Sequence, residues 1–122
     1  MSTKMEAARF VSACLEARTH AHKLHLLTTS YARHKALQTF YEDIVDMTDA
    51  FAEAYMGVHG KFMGIPDTKL ETPTDPQDFI KAFMAYVTTA RGRFAESPAL
   101  QALIDDVITL TAATAYKLAT LK

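Results

Sequence analysis

Apolar residues recur at steps of three and four along nearly the whole chain, the spacing of one face of an α-helix. Ala7, Phe10, Val11, Cys14, Ala17, Ala21 and Leu24 form the first such stripe and predict a helix over about residues 3–28. At ~1.5 Å per residue that helix is about 39 Å long. Thr28-Thr29-Ser30 breaks the pattern, with Thr29 or Ser30 placed to cap the next helix through a hydroxyl. Leu37, Phe40, Ile44, Met47, Thr48, Phe51 and Tyr55 continue with the same period over about 31–56, and Gly57 is the expected stop. Two helices of similar length joined by so short a turn predict an antiparallel hairpin.

From Gly57 to Asp75 the periodicity stops. Three of the four glycines, together with Pro66 and Pro73, lie there. This connection is longer than the usual link between bundle helices. Phe62, Met63 and Ile65 predict that part of it packs down, as a short helix. Asp75-Pro76 then reads as a cap followed by a first-turn proline, with Asp78 adding charge that the helix dipole favours. Phe79, Ile80, Phe83, Val87, Ala90 and Phe94 form the third stripe, over about 76–93. Ser97-Pro98 repeats the start signal and opens a helix over about 98–120, lined by Leu100, Leu103, Ile104, Val107, Leu110, Thr111, Leu118 and Leu121. No stretch alternates with the period of two that strands require. The expected fold is an all-α four-helix bundle formed by one domain, residues 1–122, with a long connection between helices two and three.

Composition narrows the partners. The 122 residues are 49% hydrophobic and 22% charged, with a formal net charge of −1, which argues against a protein built to coat nucleic acid. The N-terminal stretch offers only Lys4 as a basic residue before the first helix is under way, so direct DNA binding is not expected. Cys14 is the single cysteine, which fits a reducing compartment and excludes an intrachain disulfide. The first residues lead into the helical pattern rather than a signal peptide, and no apolar run approaches the ~20 residues that span a bilayer. A cytoplasmic protein with no membrane association is the expectation.

Chemistry concentrates between His22 and Glu53. The stretch holds His22, His25 and His34, three of the five histidines, and Glu42, Asp43, Asp46, Asp49 and Glu53 among the fourteen acids. Asp49 and Glu53 are one helical turn apart on one face. At 100° per residue, Phe40, Ile44 and Phe51 lie about 140° to 180° from Asp49, so the two carboxylates point away from the apolar stripe. His34 lies about 60° from Asp49 on the other flank, and a turn at 28–30 brings His22 beside it. Imidazoles with carboxylates suit iron or zinc. A solvated acidic face is the competing reading. Val45 and Met56, lying among Gln38, Glu42, Asp49 and Glu53, favour a covered one. His25, one turn from His22, is a rival ligand, although it also lines up with Cys14, Ala21 and Leu24 as a core histidine. His20 and His59 read as surface residues. Tyr31, Tyr41 and Tyr55 read as packed aromatics with bonded hydroxyls. Cys14, on an apolar stripe, reads as inert.

The spacing His22-x11-His34-x14-Asp49-x3-Glu53, with Leu37, Phe40 and Asp46 in step, resembles the ferroxidase signature of the mini-ferritins that protect DNA during starvation. It resembles still more the short ferritin-like proteins encoded by phages. Gln38 stands where that family carries a metal-binding Asp, and the family's Trp and Gly after the first His are absent. The resemblance implies a ferritin-like bundle that binds iron or zinc and oxidises Fe(II). Its site would lie between subunits, with His22 and His34 from one chain, Asp49 and Glu53 from the next, and His25 and Gln38 as further donors. It also implies a homodimer or higher homo-oligomer. The alternative is a catalytically inactive scaffold that kept the fold, which Gln38 favours.

Overall fold

The structure, a computed structural model, describes residues 3–121. Met1, Ser2 and Lys122, the ends of the expected domain span, lie outside the described residues. Four helices follow one another: α1 (Thr3–Leu27), α2 (Tyr31–His59), α3 (Pro76–Gly92) and α4 (Pro98–Thr120). The last three start on a side-chain cap. Oxygens of Ser30, Asp75 and Ser97 accept from the backbone N–H of Arg33, Asp78 and Leu100 at 3.2, 3.0 and 3.3 Å. Each bond satisfies an N–H that the first turn would otherwise leave without an acceptor. Pro76 and Pro98 stand where a missing N–H costs nothing.

The stop of α2 differs from expectation. The helix runs through Gly57 and ends at Gly60, whose φ of +89° and ψ of 164° lie where only glycine is at ease. A lone glycine inside a helix costs about 1 kcal/mol, which the buried turn around Phe51, Ala52 and Tyr55 outweighs.

The expected stripes form the core except at Leu121, which follows the end of α4 and is exposed. Phe10, Phe40, Phe51, Phe79 and Phe83 are fully buried, with Leu37, Ile44, Val87, Ile104 and Val107 among them. Phe10 meets Phe51 edge-on at 4.8 Å, and Phe40 meets Phe83 at 5.8 Å, so the rings tie α2 to α1 and to α3. α1 packs along α2, α2 along α4 and α4 along α3, while α1 meets α3 only lightly.

Residues 60–75 close that thin seam. They start at the low end of α1 and α2, reach α1 at Glu16 and His20, and arrive beside Arg33 at the start of α2. Glu16 accepts from the backbone N–H of Thr68 at 3.2 Å and from its hydroxyl. His20 Nε2–H donates to the Pro73 carbonyl at 2.8 Å, and Arg33 reaches Gln77 at 2.9 Å and Asp75 at 3.9 Å. α3 therefore runs parallel to α2, and every pair of neighbouring helices is antiparallel. α2 has 29 residues and is about 43 Å long, while sixteen residues extend to at most about 53–58 Å. A helix would use up much of that slack, and the short one expected here does not form among residues 60–75. Phe62 and Leu70 pack on the core, but Met63 and Ile65, expected to pack down, stay exposed at 96% and 54%. His20, expected at the surface, is half-buried as an anchor of this strap and lies edge-on to Phe79 at 4.6 Å.

The two glycines give opposite expectations. Gly57→Ala meets nothing within 4 Å and should raise unfolding stability by about 0.5–1 kcal/mol. Gly60→Ala should lower it by about 1–3 kcal/mol. Urea denaturation of the two variants checks both signs.

Candidate functional site

The turn between α1 and α2 is closed by two histidines. The Nδ1–H of His25 donates to the His34 carbonyl at 2.8 Å, and the Nδ1–H of His34 donates to the His25 carbonyl at 2.9 Å. Their rings stack at 3.6 Å with 22° between planes. The His25 carbonyl lies in the last turn of α1, where helix geometry leaves acceptors without partners, so His34 acts as a cap for the preceding helix. Carbonyl oxygens only accept, so both Nδ1 atoms carry a proton, and in the neutral ring Nε2 is left bare. A histidine that binds a metal through Nε2 is held by this kind of backbone hydrogen bond. His25 is buried and His34 half-buried.

His22, exposed, stacks on Tyr41 at 4.2 Å and 12°, and its ring lies 5.8 Å from that of His25, edge-on. Tyr41 also meets His25 at 5.2 Å. His22, Tyr41, His25 and His34 thus form one run of rings along the α1–α2 groove, with His25 touching both of the other imidazoles. Beside it His22, Tyr41, Glu42, Val45, Lys23 and Leu26 line an open cleft of about 550 Å³ shared with Arg18. Gln38 Nε2–H donates to Glu42 Oε1 at 2.9 Å, so the amide at this position is engaged with its own helix.

The carboxylates stand elsewhere. Asp49 and Glu53 are exposed on α2, about 22 and 28 Å along the helix from His34. One chain does not bring the imidazoles and these carboxylates together. Among the described residues no three His, Cys, Asp or Glu side chains are grouped to hold a metal ion. Sequence reasoning placed His22 and His34 as neighbours but missed the clasp. Only the line of His25 with Cys14, Ala21 and Leu24 signalled that its ring turns inward.

Charge is divided along the same hairpin. Residues 17–41 carry Arg18, Lys23, Arg33 and Lys35 and no acid, while residues 42–53 carry five acids and no Lys or Arg. Lys35, Gln38, Asp49 and Glu53 all lie within about 40° of Glu42 around α2, so the division falls on one outward stripe.

The buried thiol takes no part. Burial pushes Cys14 up from 9.0 to about 12, against a smaller downward pull from its hydrogen bond with Thr48. Burial likewise pushes Tyr86 up from 10.0 to about 12. Both groups hold their proton longer folded than unfolded, so the stability they carry is complete below pH 9 and is lost as pH climbs towards 12. Denaturation between pH 7 and 11 should show stability falling above pH 9, with a shallower fall for Cys14→Ala. An aromatic disulfide reagent at pH 8 should label Cys14 only when denaturant is added.

The comparisons with known proteins carry no activity. Residues 25–118 match the model of a family of unknown function, DUF5856. The chain is 33% identical over 106 residues to an uncharacterised 14.6 kDa protein encoded in the mobD–ri intergenic region of Enterobacteria phage T4. That match covers 84% of this chain and 79% of the relative. No solved structure matches the chain. The relative is a phage protein, as are the short ferritin-like proteins that the sequence pattern resembles, but the mini-ferritin likeness itself rests on that pattern alone.

Proposed function

This chain belongs to the DUF5856 family of unknown function, and from that premise we propose that it is a ferritin-like metal-binding protein whose site is completed between two copies. The observation that carries this reading is the division of donors along one hairpin. Imidazoles occupy one end and carboxylates the other, too far apart to meet in one chain. A two-fold axis across α2 near residue 42 pairs position 34 with position 50 or 51 of the second copy, between Asp49 and Glu53. It pairs Lys35 with the same carboxylates. The acid-free first part of α2 in each copy then faces the Lys- and Arg-free stretch 42–53 of the other, and each donor set occurs twice.

The donors fit a borderline metal. His34 offers Nε2 with Nδ1 held by a carbonyl, His22 is exposed on the other side of His25, and Asp49 with Glu53 would add oxygen ligands. His25, bonded and buried, orients His34 rather than binding. Iron held by such a set would supply an electron to oxygen or peroxide. A neutral Gln38, already bonded to Glu42, supports the second reading, in which the protein binds metal or a partner without oxidation. The compartment proposed is the cytoplasm.

Equilibrium dialysis against Zn(II) and Co(II) tests the site. Wild type should bind one ion per chain, and His34→Ala and Asp49→Asn should each weaken binding at least about tenfold. Unchanged affinity in both variants would refute the ligand set. Lys35→Glu should weaken self-association in sedimentation, and the double variant Lys35→Glu/Glu53→Lys should restore it. Fe(II) oxidation no faster than in buffer, with binding intact, would select the inactive reading.

A further inference from the structure

Exposed apolar side chains gather at both ends of the bundle, Met5, Val58, Met63 and Ile65 where α1 begins and α2 stops, and a second group where α1 gives way to α2. Leu26, Leu27 and Tyr31, on either side of the Thr28–Ser30 turn, are 69%, 73% and 76% exposed. α4 finishes at the same end, and there Leu121 is 48% exposed. Tyr31, Ala36, Leu121, Lys35 and Lys117 line a shallow cleft of about 460 Å³ into which no acidic side chain projects. Lys23 lies one turn before Leu26 and Leu27, and no acid occurs between Glu16 and Glu42. Two carboxylates stand nearby. Asp75 is tied to Arg33, and Asp78 sits in the first turn of α3, where the helix dipole already favours it.

Four exposed apolar side chains ringed by Lys23, Lys35 and Lys117 are more than the scatter of single hydrophobics expected on a soluble surface. We propose that this turn is a tip by which the protein docks on an anionic lipid surface. The charge favours an anionic surface, because Lys23 and Lys117 flank the exposed apolar side chains and no acid stands between Glu16 and Glu42. Such side chains can enter the headgroup layer while lysine stems lie along it and their ammonium groups meet lipid phosphates. Peripheral contact of this kind needs no spanning segment, and no described helix is long and apolar enough to cross a membrane. Such contact departs from the sequence-based expectation of no membrane association.

The tip belongs to a single chain and does not depend on the metal reading. The two-fold pairing would send the tips of two copies to opposite ends, so an antiparallel dimer should bridge vesicles. Co-sedimentation with phosphatidylcholine vesicles, with and without phosphatidylglycerol, tests the tip, and turbidity of the same mixtures reports bridging. The protein should pellet with the anionic vesicles at least about tenfold more than with neutral ones, and less as salt is raised. Leu27→Glu and Lys117→Glu, each checked for helicity, should lose that retention. No retention on anionic vesicles, equal retention on neutral ones, or wild-type retention of Leu27→Glu would overturn the proposal. Retention without turbidity would support the tip and count against the antiparallel dimer.

Discussion

Sixteen residues have to return the chain along the whole of α2, and the architecture follows from how little slack they have. A helix would use up much of that slack, and the strap forms none. It is held by side-chain bonds to α1, through Glu16 and His20, and by Phe62 and Leu70 packed on the core. Its arrival beside Arg33 makes α3 parallel to α2 and leaves every adjacent pair antiparallel. It also decides which surface stays open. The strap covers the flank of α1 that faces α3, while Arg18, His22 and Leu26 on the opposite flank remain exposed.

On that open flank the clasp of His25 and His34 links local structure to chemistry. Two hydrogen bonds and a ring stack fix the angle of the hairpin at its turn, and the same bonds assign the proton of each ring. An imidazole whose ring is already oriented by its Nδ1–H bond before any ion arrives loses little freedom on binding. The charge division acts differently. Exposed pairs contribute at most about 1 kcal/mol each, so Lys35 opposite Asp49 and Glu53 would choose the direction of pairing more than its strength. Strength would have to come from burying apolar groups on the same face, Val45 and Met56 among them.

The helices were legible because their signals are local. Ser30, Asp75 and Ser97 cap by bonds that reach three residues, and stripes of period 3.6 need only a helix and a core. Gly57 misled because a glycine's effect on a helix depends on what surrounds it, whereas only Gly60 takes up a backbone shape that demands glycine. Met63 and Ile65 misled because hydrophobicity does not show whether a connection has length to spare. The site was half legible. Spacing put His22 and His34 on facing helices, but the reciprocal bonds of His25, the stack of His22 on Tyr41 and the anchoring of His20 are contacts between segments. None of them leaves a periodic trace in the sequence.

The central claim, that one chain supplies the imidazoles and another the carboxylates, is tested most directly by mixing two defective variants. His34→Ala and Asp49→Asn, each unable to bind metal alone, should be unfolded together, refolded and titrated with Co(II). If sites are shared across a two-fold axis, a hybrid dimer carries both defects at one site and none at the other, so random pairing restores about a quarter of the wild-type sites. A mixture that binds no more metal than its separate components would contradict the shared site.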